Sequence, residues 1–402
     1  MRAQVNTPMP DHDEKADAAL LYAETTLTVA PNGTIKKLGR LVFKILRPDG
    51  EKYGTVGIPF DAQSKITSLH AWSIPAAGKD YEVKEKDAVE SAVVGVENSV
   101  LVSDVRTKLM RIPAATPGSI VGYEYEQEQR PYMMIDEWDF QSTVPVREAH
   151  FALRLPRGWN YNATWINHAE VSPTASEGAK DGSKLFQWTM NDVNPVRHED
   201  LMPPWQGIAA RMVIALQPPN GQDSGMQSWR DIGVWYASLT RGRRDASPEI
   251  KKQVADLTAT AISPLQKMQA LAKFVQNDVR YVAIELGIGG FQPHPAVDVF
   301  KNRFGDCKDK ATLLSTMLKE VGIESYYVVI NTERGSMDAM TPPNLGFNHV
   351  ILAIALPSNI EDATLLARAT QPQLANILFF DPTDEFTPFG RLRGELQANF
   401  GL

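Results

Sequence analysis

Hydrophobic and polar residues alternate along much of the first half of the chain. Leu27 and Val29 alternate with Thr26 and Thr28, and Pro31-Asn32-Gly33 follows as a turn. Leu41-Val42-Phe43-Lys44-Ile45-Leu46 reads as a largely buried strand closed by Pro48-Asp49-Gly50. Val121, Tyr123 and Tyr125 alternate with Gly122, Glu124 and Glu126, the pattern of a strand with one wet face. Phe151, Leu153 and Leu155 alternate with Ala152 and Arg154 before Pro156-Arg157-Gly158 ends the run. Short strands punctuated by turn residues predict an all-β sandwich or barrel.

Near Ser228 the spacing changes from two to between three and four. Trp229 to Tyr236 reads as a short helix. Ser247-Pro248 and Ser263-Pro264 each combine a capping serine with a proline at the first helical position. Leu265, Met268, Leu271, Ala272, Val275 and Val279 form one apolar stripe, which predicts core packing. Another helix follows Asp306, with Leu313, Leu314, Met317, Leu318 and Val321 as its stripe and Gly322 as its stop. Strands are expected over 325–331, 348–356 and 377–381. The expected organisation is a flexible tail over 1–17, a β-rich region over 18–225 holding one or two sandwich-like units, and an α+β core over 226–402. Pro145 is a candidate seam within the β region.

Composition narrows the functional classes. With 402 residues, 43% hydrophobic and 22% charged, the chain has ordinary globular proportions and length for two or three domains. A net charge of -7 argues against nucleic acid as a partner, because phosphate binding needs a basic footprint. No apolar run reaches the roughly eighteen residues of a membrane-spanning helix. The N-terminus lacks an apolar signal-peptide segment, which fits either a retained protein or one whose signal was removed. One cysteine rules out an internal disulfide and a cysteine-rich zinc site. Asp11, Asp13 and Glu14 lack calcium-loop spacing, so no metal or cofactor is inferred.

That single cysteine lies in Arg303-Phe304-Gly305-Asp306-Cys307-Lys308-Asp309-Lys310, at the start of a predicted helix. Unpaired first-turn amides and the positive end of the helix dipole favour a thiolate there, and Lys308 and Lys310 add positive charge. Gly305 is expected to allow a tight turn. A lone cysteine is more often a small core residue. Two further signals shift the balance. His349 opens the apolar run Asn348-His349-Val350-Ile351-Leu352, and Asp381 ends Phe379-Phe380-Asp381-Pro382. A base held on a strand and a carboxylate that fixes its tautomer complete a nucleophile, base and orienter set.

Residues from about 229 to 390 resemble the transglutaminase-like superfamily, a papain-like cysteine fold. The resemblance is carried by Gly305-Asp306-Cys307-Lys308-Asp309-Lys310-Ala311, by Asn348-His349 and by Phe380-Asp381-Pro382. Tyr281-Val282-Ala283-Ile284-Glu285-Leu286-Gly287 and Phe291-Gln292-Pro293 add to it upstream. The β-rich half resembles the uncharacterised domain that commonly precedes this core in bacterial, frequently exported, proteins. Family members often continue into a further β domain beyond the point where this sequence ends.

The resemblance implies helices packed on an antiparallel sheet and a cysteine-dependent acyl transfer through a thioester. Cys307, His349 and Asp381 would be catalytic. Gln292 is the candidate second oxyanion donor and Tyr281 the alternative. The implied partner is a protein or peptide substrate, and hydrolysis as a peptidase or amidase is the favoured outcome. A protein-crosslinking transglutaminase is the rival on the same trio. A third reading keeps the core as a scaffold and gives the β region a protein or polymer to bind. An exported or periplasmic location is implied by the family alone.

Overall fold

The computed structural model describes residues 6–11, 15–92, 100–177, 181–219, 228–358, 360 and 362–402. It divides into two units, one of residues 1–93 and 104–227, the other of residues 94–103 and 228–402.

The first unit is built from sheets. Its largest has eight strands, in the spatial order Thr174–Glu177, Lys184–Val193, Val146–Leu155, Ala18–Val29, Ile35–Ile45, Ile120–Gln129, Ser64–Ile74 and Tyr81–Lys84. Neighbours run antiparallel except Ala18–Val29 and Val146–Leu155, which pair in parallel. Pro145 lies at the entry to this sheet, its carbonyl accepting from Leu20 N–H, so strands on both sides of it share one sheet. Two three-stranded sheets complete the unit. One orders Ile135–Asp139, Arg211–Gln217 and Asn160–Ile166; the other orders Thr55–Phe60, Arg106–Arg111 and Val89–Ala92. Alternation explains their packing, since inward side chains from all three sheets meet in one core that includes Leu27, Leu153, Met110, Trp138 and Met212. Leu27 and Leu153 are fully buried, and burial of such a side chain is worth about 1.5–3 kcal/mol.

The opposite face of the large sheet is mostly polar. It carries one smaller apolar cluster, Ala19, Leu21, Val42 and Ile120, with Met9 packed against it. Of the expected flexible tail, residues 1–5 and 12–14 lie outside the described residues. Among the rest, Pro10 is buried and Met9 contributes to that cluster.

The second unit packs helices on a sheet. The helices are Trp229–Leu239, Pro248–Thr258, Pro264–Asp278, Ala296–Asn302 and Cys307–Glu320. Ser228, Ser247 and Ser263 cap the first three by accepting from the backbone N–H three residues on. The helix Ala296–Asn302 was not expected, and it ends on Arg303 in the left-handed conformation, φ 59°. The sheet is antiparallel, ordered Ser325–Ile330, His349–Ala355, Ala375–Phe380 and Arg368–Gln371. Two short parallel pairings flank it: Arg280–Tyr281 with Phe304–Gly305, and Ala283–Glu285 with Val100–Ser103. The connection over 331–348 has no helix or strand, and Met340 on it is exposed. Among the described residues no helix is long and apolar enough to cross a membrane.

The helix Cys307–Glu320 is the centre of this unit. Every residue from Lys308 to Leu318 is buried. Ala311, Leu314 and Leu318 join a core with Met268, Leu271, Val275, Leu352, Ile354 and Phe380. Polar groups on such a helix must find partners within the protein. Thr312 and Thr316 back-bond to the carbonyls of Lys308 and Thr312, and Ser315 accepts from Ser325. Truncating the fully buried Leu314 to alanine is expected to destabilise the second unit by about 2–5 kcal/mol. Urea unfolding followed by near-ultraviolet dichroism measures this, and a loss below about 1 kcal/mol would contradict a central role for the helix.

Candidate active site

The chain reaches Cys307 through a tightly determined approach. Arg303 turns the chain in the left-handed region, where its guanidinium covers the rings of Phe300 and Phe274 at 4.3 and 4.8 Å. Phe304–Gly305 then pairs with Arg280–Tyr281. Gly305 does not make the turn that its type suggests. Its need is for space: a Cβ there would lie 2.5 Å from the Cβ of Asp309. Asp306 caps the helix, its carboxylate accepting from Asp309 N–H while Asp309 accepts from Asp306 N–H. Cys307 is therefore the first residue inside the helix, and it is half-buried.

The charges around the cap are satisfied internally. Lys308 and Asp306, both nearly inaccessible, form a close ion pair. Burial opposes the Lys308 charge, but the Asp306 carboxylate outweighs it and holds the ammonium protonated. Asp309 accepts from the backbone of His294 at 2.7 Å and from its Nδ1 at 3.0 Å. Lys310 donates to the carbonyls of Val279 and Gln276 at 2.8 and 3.2 Å. With no carboxylate bonded to it, desolvation brings its pKa down to about 8.

His349 opens its strand, paired with Ile330. Its Nε2 lies 3.0 Å from Asp381 Oδ2. Asp381 is fixed from other sides as well. Its Oδ1 accepts from the backbone and hydroxyl of Thr383 at 2.9 and 2.7 Å, and Arg393 Nη2 donates to Oδ2 at 3.2 Å. Burial works to raise the Asp381 pKa, but the bond from His349 and those from Thr383 prevail and hold it at about 2. For His349, burial works to lower the pKa. Hydrogen bonding with Asp381, and next with the Cys307 thiol, overcomes that and lifts it to about 10. With Nε2 committed to Asp381, Nδ1 is the ring nitrogen left for the thiol.

The sequence-derived residues fall into two groups. Cys307, His349 and Asp381 come together as a connected set. Tyr281 joins them: its pairing with Gly305 brings its hydroxyl to the Cys307 thiol, and burial, followed by the cysteine's charge, pushes its pKa up. Gln292 is held differently, its side-chain amide donating to the Leu239 carbonyl at 3.1 Å. An oxyanion role would have to use its other N–H.

Three neighbours had no place in the sequence reading. Thr383 follows Asp381 by two residues, a spacing from which an aspartate turn is readable. Arg393 gave no signal, because its link to Asp381 depends on the fold. Tyr236 lies in an ordinary helical stripe. Its hydroxyl is buried without a hydrogen-bond partner among the described residues, and burial together with the Cys307 charge raises its pKa well above the usual value.

Two family models match consecutive parts of the chain. Residues 31–197 match DUF3857, a domain of unknown function with a solved structure. Residues 251–350 match the transglutaminase-like superfamily core. A candidate protease from Parabacteroides distasonis ATCC 8503 is similar in fold, with a TM-score of 0.65 and 16% identity over 85% of this chain. The match spans 65% of that protein's length, just under two thirds. A candidate cysteine protease from Cytophaga hutchinsonii matches at a TM-score of 0.25 and 11% identity, over 81% of this chain and 84% of that one. At that score it supports no argument. No curated protein matches the sequence. The chain thus carries a DUF3857 domain followed by a transglutaminase-like core.

Proposed function

We propose that the second unit is a cysteine-dependent amide hydrolase, a peptidase or amidase, with Cys307 as nucleophile, His349 as acid and base, and Asp381 as orienter. One observation carries this reading: the 3.0 Å bond between His349 and Asp381, on a ring that also interacts with a thiol at a helix N-terminus. A histidine that keeps its proton is the partner a thiolate nucleophile requires.

In this mechanism the Cys307 thiolate attacks an amide carbonyl carbon, and a C–S bond forms. The backbone N–H of Cys307, unpaired at the helix start, donates to the oxyanion. The Tyr281 hydroxyl is assigned as the second donor, with the buried Tyr236 hydroxyl, which also feels the Cys307 charge, as a reserve. As the C–N bond breaks, the His349 imidazolium gives its proton to the leaving amine. The neutral ring then takes a proton from water, which attacks the thioester, and the Cys307 thiolate leaves with a carboxylic acid product, restoring the thiolate and imidazolium pair. Asp381 stays ionised throughout and keeps Nδ1 directed at the sulfur. The family match and the candidate protease with a shared fold support this class of chemistry. Peptides or peptide-like amides are the proposed substrates.

Three outcomes test the proposal. Iodoacetamide should alkylate Cys307 rapidly at neutral pH, and His349→Ala should slow the reaction roughly 10²-fold or more. Equally slow rates in both proteins would leave a scaffold reading instead. Replacing Asp381 by asparagine removes the interaction that favours the charged ring, so the His349 titration should fall from about 10 by about 1–3 units. Ring-proton NMR reads this directly, and an unchanged titration would remove Asp381 from its assigned role. With a glutamine-containing peptide and a primary amine present, mass spectrometry should find cleaved or deamidated peptide. Dominant amine incorporation would favour the crosslinking alternative.

A further inference from the structure

The polar face of the eight-stranded sheet contains a groove of about 480 Å³. Its construction follows from strand register. Tyr22 pairs with Val42, Val42 with Gly122, and Gly122 with Trp72, forming one row across four strands. Two residues along the strands lies a second row: Glu24 opposite Arg40, Arg40 opposite Glu124, and Glu124 opposite His70. Residues paired across a ladder share a face, so the two rows run side by side on the same surface.

Each row has its own chemistry. The first is aromatic at both ends and open in the middle. Gly122 contributes no side chain between Val42 and Trp72, and a Cβ there would lie 2.9 Å from the Leu41 carbonyl and 3.2 Å from Val42. The register shift after Leu20 makes Tyr22, rather than Leu21, the residue opposite Val42. From Glu24 to Glu124 the second row is a hydrogen-bonded strip, with His70 beyond its end. Tyr22 donates to Glu24 at 3.0 Å, Arg40 bridges Glu24 at 3.1 Å and Glu124 at 3.0 Å, and His70 lies 3.9 Å from Glu124. These groups are held in place yet still accessible: the Arg40 and Glu124 side chains are 46% and 32% exposed.

The geometry points to this groove as a binding site for a neutral oligosaccharide. A sugar ring has an apolar C–H face and a rim of hydroxyls. The face fits an aromatic platform over a slot without a side chain, and the rim fits a strip of planar donors and acceptors. Neighbouring hydroxyls suit carboxylates and a guanidinium whose orientation is already set, because little freedom is lost on binding. The charge pattern selects among ligands. Three carboxylates, Glu24, Glu124 and the groove-lining Asp80, against the one guanidinium of Arg40 oppose an anionic glycan. Arg40 in the middle of the strip opposes a lysine or arginine side chain, which an aromatic site with carboxylates would otherwise attract. The site belongs wholly to the first unit, so it is independent of the Cys307 chemistry.

Isothermal titration of the full chain with cellohexaose, chitohexaose and maltohexaose tests the assignment, with a tetralysine peptide as the cationic competitor. At least one neutral sugar should bind, and Trp72→Ala should weaken it roughly tenfold or more. Glu124→Gln, a surface change expected to leave the fold intact, should weaken it several-fold. The alkylation rate of Cys307 should stay the same in both variants, which separates lost binding from lost structure. Absence of binding by all three sugars, binding that survives both substitutions, or tighter binding of tetralysine would each overturn the assignment.

Discussion

The second unit depends on one constraint: the helix that begins at Cys307 is buried on every side. An apolar helix would meet that condition by packing alone. This one carries Lys308, Asp309, Lys310, Thr312, Ser315 and Thr316, so each polar group had to be matched by a specific partner. The matches reach much of the unit. Lys310 draws in the end of the helix Pro264–Asp278, Asp309 fixes the loop at His294, Thr312 meets the Tyr327 hydroxyl, and Ser315 meets Ser325. Cys307 stands at the end of this strongly determined element, so its position is set by the core itself.

His349 is positioned by a different logic. It is the first residue of a strand whose next five residues are all buried, and its partner Asp381 follows directly where the neighbouring strand ends. Asp381 accepts from His349, Thr383 and Arg393 at once. A carboxylate with that many donors stays ionised in a buried site, and an ionised carboxylate keeps the imidazole charged. The electrostatics of helix and strands thus converge: a positive helix end and a protonated ring face the same sulfur.

Much of this was legible in the residues, and the parts that were not share a physical cause. Alternation identified the strands around Leu27, Tyr123 and Phe151, and the serine-proline pairs identified two helix starts, because both signals are local. The spatial order of the eight strands was not readable. The parallel pairing of Ala18–Val29 with Val146–Leu155 depends on contacts more than a hundred residues apart. Arg368–Gln371 was missed because an edge strand that is mostly exposed has no hydrophobic pattern to show. The helix Ala296–Asn302 was hidden by the prolines before it and is only seven residues long. Gly305 was noticed for a sound reason that turned out to be the wrong one. In the site, the residues that announce chemistry by type and spacing stood out, whereas Arg393 and Tyr236 act through proximity alone.

The connection over 331–348 stands in contrast to the helix that begins at Cys307. It joins two core strands and ends at the histidine, yet it carries no regular structure of its own. Exposed positions on it such as Met340 take no part in the core around the Cys307 helix, whereas Phe347 near its end packs against that core. The chain can therefore vary at such exposed positions without loosening His349, because the anchor, Phe347, sits beside the histidine and not along the whole connection.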